Sequence, residues 1–97
     1  MSEQPLKGGP LARSAALLCQ DRLFRLYLDH RKRHKFGLTP DQLPDGTHNE
    51  QDARDWLCAA CGIQSRAELD HNTQAAGTFR MIRKRFARWR SRLNANQ

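Results

Sequence analysis

The chain contains no valine and only two isoleucines, Ile63 and Ile82. Strands are assembled mainly from β-branched and aromatic residues, so a sheet is nearly excluded. What is abundant instead, Leu, Ala, Arg and Gln, favours helix. The expected fold is all-α: a small bundle of three to four helices, with a long N-terminal helix and a long basic C-terminal helix. Ninety-seven residues make one domain's worth of chain. The expected division is a flexible arm over residues 1–9, interrupted by Gly8-Gly9, followed by a single helical domain over 10–97.

Helical spacing supports this reading along most of the chain. Pro10 suits a first helical turn, where its missing N–H is no loss. Apolar residues then recur at Ala12, Ala15, Ala16, Cys19, Leu23, Phe24, Tyr27 and Leu28 until Gly37, with Asp21 a candidate break between two helices. Residues 37–46 carry Thr39-Pro40 and Leu43-Pro44, each followed by Asp, and read as a loop. A helix is expected from Thr47, with Glu50 completing a capping box. Its apolar stripe would be Ala53, Trp56, Leu57, Ala60 and Cys61, closed by Gly62 in a left-handed conformation with Ile63 folded back. Ser65 and Glu68 predict a second capping box and a short helix through Leu69. The last helix is expected from Asn72 or Thr73 to about Leu93, with Ala75, Phe79, Ile82, Phe86, Trp89 and Leu93 forming a narrow buried seam.

Charge is distributed in blocks. Residues 22–35 hold six Lys/Arg against Asp29 alone, residues 36–71 hold seven acids against Arg54 and Arg66, and residues 72–97 hold seven bases and no acid. Two basic helical segments therefore flank an acidic middle, which predicts an acidic partner together with some pairing between segments. The candidate partner-binding residues, chosen on charge alone, are Arg31, Lys32, Arg33, Arg80, Arg83, Lys84 and Arg88. At a sequence pI of about 10.2 the chain cannot imitate DNA, which requires an acidic face.

Few residues suggest catalysis. Cys58-Ala-Ala-Cys61 lies at a helix C-terminus, the end that disfavours a thiolate, so packing is expected ahead of redox chemistry. As half a zinc site it needs two more ligands, for which Cys19, His48 and His71 are candidates without recognisable spacing. Asp52 and Asp55 share a helix face in an open charged stretch and read as solvated. No nucleophile elbow or glycine-rich phosphate loop occurs. The expectation is a non-enzyme without cofactor or metal. Three cysteines and no apolar leader point to a reducing cytoplasm, and no run is apolar enough for a membrane span. Pro40 and Pro44 are candidate sites for a prolyl isomerase, because X-Pro bonds in a long loop are least constrained by helix.

The segments PLARSAALLCQDRLFRLYLD, from Pro10, and DARDWLCAACGIQSRAELDHNTQAAGTFRMIRKRFARW, from Asp52, resemble the anti-RecBCD protein 2 family of lambdoid phages. The resemblance runs from Pro5 to Trp89. Its motifs Cys61-Gly62-Ile63 and Ser65-Arg66-Ala67-Glu68-Leu69-Asp70 mark a helix stop and a cap, and transfer no site residue. The resemblance implies a non-enzymatic phage protein in the host cytoplasm that binds the host RecBCD helicase-nuclease through RecC. It would modulate nuclease activity and the response to Chi, protecting phage DNA and promoting phage recombination. Contact with DNA held by the enzyme, and a host prolyl isomerase as accessory partner, are further expectations. The alternative is a small basic DNA-binding regulator.

Overall fold

The computed structural model describes residues 7–95. Four α-helices and one 3₁₀ turn account for it: α1 (Pro10–Gln20), α2 (Arg22–Phe36), α3 (Glu50–Cys61), the turn Arg66–Asp70, and α4 (Thr73–Ala95). No strand occurs among the described residues. The all-α expectation holds, and no helix is long and apolar enough to cross a membrane.

The N-terminal helical run is two helices. Asp21 adopts an extended backbone, φ −73° and ψ 117°, and its side chain accepts the Leu23 N–H. A carboxylate that can cap the following helix ends the preceding one at little cost, since both need a non-helical residue there. Leu23, expected in the apolar stripe, is consequently 36% exposed.

The third helix starts later than expected, at Glu50 rather than Thr47. Thr47 Oγ1 donates to the Pro44 carbonyl at 2.6 Å, and the His48 N–H goes to Asp29. Both residues are thereby committed to the loop. Asn49 takes over as cap: its side chain accepts the Asp52 N–H at 2.8 Å, while the Asp52 carboxylate accepts the Asn49 N–H at 3.0 Å. At the other end Gly62 adopts φ 68°, and Ile63 donates back to the Cys58 carbonyl at 2.9 Å as it enters the core. The short element after it is a 3₁₀ turn, with Glu68 accepting the N–H groups of Gln64 and Ser65.

The expected arm over residues 1–9 falls, for residues 1–6, outside the described residues. Residues 7–9 lie against the 3₁₀ turn. Gly9 N–H donates to Asp70 at 2.6 Å, and the Lys7 carbonyl lies 2.9 Å from His71 Nε2. A Cβ on Gly9 would meet the Asp70 carboxylate at 3.0 Å, and one on Gly8 would meet Ala12 Cβ at 2.7 Å. At both glycines the absence of a Cβ permits this close approach.

The core is aromatic where α2 and α4 run alongside each other. Phe24 meets Phe86 edge to face at 5.4 Å, Tyr27 meets Trp89 at 5.5 Å, and Trp56 of α3 stands edge-on to Phe24 at 6.2 Å. The α4 seam is buried at Ala75, Phe79, Ile82 and Phe86, and half-buried at Trp89 and Leu93. On α3 the buried residues are Ala53, Leu57 and Cys58, whereas Ala60 is exposed and Cys61 half-buried. The stripe is thus rotated toward Cys58 from where its spacing placed it.

Candidate interaction surfaces on the basic helix

Seven cations project from α4 between Arg80 and Arg92, and none of them forms an ion pair among the described residues. Several acids of the middle segment are engaged elsewhere. Asp70, Asp52 and Glu68 each accept backbone N–H groups at a helix or turn start. Asp45 pairs with Arg33 at 2.8 Å. The predicted pairing between charge blocks therefore joins the middle segment to α2 and leaves α4 without a counter-charge.

The buried seam divides the α4 cations into two flanks. Arg80, Arg83, Lys84 and Arg90 line one wall of a groove of about 560 Å³, with Phe86 and Ala87 at its base. The other wall is Ser14, Leu17 and Leu18 of α1, with Asp21 just beyond its end. Leu17 is 67% exposed, the largest exposure among the big apolar side chains described. The guanidinium of Arg83 sits 5.6 Å from the Phe79 ring centre, and that of Arg90 sits 5.4 Å from the Phe86 ring centre. Such packing over aromatic faces holds the long side chains along the wall.

On the opposite flank Arg85 lines a smaller cavity of about 190 Å³ with Arg31, Trp56 and the exposed Met81. Arg88 and Arg92 follow Arg85 at helical spacings of three and seven, which places them on that flank too. Arg31 lies over Trp56 at 5.4 Å and over Tyr27 at 5.9 Å. Lys32 joins Arg31, Lys35, Phe36 and His48 around a cavity of about 210 Å³.

The seven residues singled out by charge thus fall on two surfaces and one interior contact. Arg80, Arg83 and Lys84 stand together at the groove. Arg31, Lys32 and Arg88 belong to the other side. Arg33 is drawn inward: its Nη1 donates to the Leu43 carbonyl at 2.8 Å as well as pairing with Asp45, and its side chain is only 11% exposed. It fastens the loop to α2 and leaves the accessible set. Pro40 and Pro44 are exposed on that loop, on either side of the buried Leu43.

Two residues that charge counting passed over hold the scaffold together. Asp29 is fully buried and accepts the N–H groups of Gly46 and His48 at 2.8 and 3.0 Å, with His48 Nδ1 at 2.6 Å. Asp70 accepts from Gly9, Leu11 and Ala12, capping α1. A lone acid in a basic run was the available signal for Asp29. For Asp70 the signal was a helix start at Gly9-Pro10 with no side chain able to cap it.

The cysteines are embedded. Cys19 and Cys58 are buried, and burial pushes the thiols of Cys19, Cys58 and Cys61 above their ordinary value. Beside Cys19, Arg66 pulls the other way but is outweighed. Among the described residues no three His, Cys, Asp or Glu side chains gather as a metal site would need. His48 and His71, the imagined zinc partners, lie instead against Asp29 and the Lys7 carbonyl.

Comparison with known proteins finds no match to a family model, to a curated protein or to a solved structure.

Proposed function

We propose that this chain is a non-enzymatic phage protein that docks on the host RecBCD helicase-nuclease through RecC. In the host cytoplasm it would alter nuclease activity and the response to Chi, protecting phage DNA and promoting phage recombination. The identity of the target comes from the sequence resemblance described above. The observation that supports docking is the set of seven α4 cations, none of which forms an ion pair among the described residues. Like charges crowded on one helix repel each other, and an acidic partner surface relieves that repulsion.

The test is retention of purified host RecBCD on the immobilised protein. Reversal of Arg83, Lys84 and Arg88 to Glu touches both flanks and should abolish retention while far-ultraviolet circular dichroism stays helical. Exposed single pairs contribute only about 0–1 kcal/mol, so the triple change is the fair comparison. Undiminished retention by the triple variant would sink the proposal. Direct DNA binding, the alternative, would show itself by a steep loss of affinity for free oligonucleotide with salt, roughly 0.9 log units per log salt for each phosphate contact. The proposal extends to a host prolyl isomerase acting on Thr39-Pro40 or Leu43-Pro44. Unchanged activity of a Pro40→Ala, Pro44→Ala double variant would remove that extension.

A further inference from the structure

The groove between α1 and α4 combines two features that call for different chemistry in one ligand. Its α4 wall carries Arg80, Arg83, Lys84 and Arg90. Its α1 wall offers Leu17, 67% exposed, and Leu18. A nucleic-acid backbone would use the cations but gain nothing from the apolar side. Among the described residues no exposed aromatic ring lines the groove for a base to stack on: Phe86 is 4% exposed, with Arg90 over its ring. A purely acidic loop would likewise leave Leu17 in water.

From Arg80 to Arg90 the wall rises about 15 Å, the span of roughly ten residues of helix. We infer that the groove binds an acidic amphipathic helix of a partner protein, with its apolar stripe on Leu17 and Leu18 and its carboxylates along the four cations. Helix-in-groove recognition of this kind reads apolar anchors at spacings of three and four. Among the described residues Asp21 is the one carboxylate lining the groove. It would repel an acid set against it, and so favours an occupant whose carboxylates keep to the α4 side. This inference rests on reading the chain as a protein-docking module, and it specifies which part of the surface docks and what it accepts.

The test uses the full chain and a fluorescein-labelled peptide of about three to four turns. Its leucines are spaced for one face, with glutamates on the adjoining flank. A scrambled peptide of equal composition and a labelled single-stranded oligonucleotide serve as comparisons. The amphipathic peptide should bind at least about tenfold more tightly than the scramble. Leu17→Ser should remove that preference; because Leu17 is exposed, the variant keeps its core. Arg83→Gln with Lys84→Gln should weaken both peptides, whereas Arg85→Gln with Arg88→Gln should leave the preference unchanged.

Equal affinity for peptide and scramble would overturn the inference, leaving only general attraction of opposite charges. So would oligonucleotide binding that needs Arg83 and Lys84, ignores Leu17, and displaces the peptide. RecBCD retention measured on Leu17→Ser and the two charge pairs separates the two proposals. Peptide selectivity absent with RecBCD still retained overturns the groove alone. Peptide selectivity present with RecBCD not retained supports the groove and overturns the proposed target.

Discussion

The carboxylate of Asp70 accepts the backbone N–H of Gly9 at 2.6 Å across 61 positions of sequence. Leu11 and Ala12 donate to the same carboxylate at 3.0 Å each, so the start of α1 is capped from the 3₁₀ turn that precedes α4. The N–H groups that a helix leaves unpaired at its start are met here by a tertiary contact. The first helix of the groove is thereby held in place by a residue far from it in the chain.

This contact predicts an acid-sensitive step. Partial desolvation pushes the Asp70 pKa up, but three N–H donors, aided by His71, outweigh it and hold the carboxyl below its ordinary value. The unfolded group titrates near pH 4. The stabilisation is therefore fully present above about pH 4 and is lost as pH falls through the lowered native value. Asp70→Asn should be less stable than the parent at pH 7, and the difference should shrink toward pH 2. Thermal melts of both proteins across that range measure it; a difference independent of pH would refute the assignment.

Asp29 predicts a larger loss. Its removal in Asp29→Ala leaves the Gly46 and His48 N–H groups and the His48 ring facing an empty buried position. Unmet buried donors cost about 1–3 kcal/mol each, so a loss of about 3 kcal/mol or more is expected in urea denaturation. A loss under about 1 kcal/mol would show that the loop does not depend on Asp29.

The aromatic core sets an order among substitutions. Phe86, 4% exposed and packed on Phe24, Tyr27 and Trp89, should cost about 3–5 kcal/mol as Phe86→Ala. Trp56 is only partly buried, with Arg31 over its face, and Trp56→Ala should cost less, about 2 kcal/mol. The reverse order would move the centre of the core to α3.

The thiols predict a silence. With burial pushing all three above their ordinary value, reaction with a thiol reagent at neutral pH should be about tenfold or more slower in the native protein than in urea. Replacing Cys58 by Ala and Cys61 by Ser should leave RecBCD retention within a few-fold of the parent. Stoichiometric zinc in purified protein, with unfolding of the double variant, would contradict the packing role.

Local chemistry alone determined the helical class, the Gly37 and Gly62 stops, the Glu68 cap, and the seam from Ala75 to Trp89. Each depends on residues within a turn or two of each other, or on a periodicity that any single helix must show. The concentration of unpaired charge on α4 was legible in the same way, because no acid lies near it in the chain. What tertiary structure decided concerns choices among partners. Thr47 and Asn49 are both good caps by propensity, and the bonds of Thr47 to Pro44 and of His48 to Asp29 hold the first in the loop and leave the cap to the second. Arg33 is as basic as Arg31 by sequence, yet Asp45 and the Leu43 carbonyl turned it inward. The cations of α4 read as one cluster until the packing of its seam against α2, α3 and the 3₁₀ turn divided them into two flanks. Helix phase is a local property. Which flank faces a neighbour is fixed by how whole helices bury their apolar faces together.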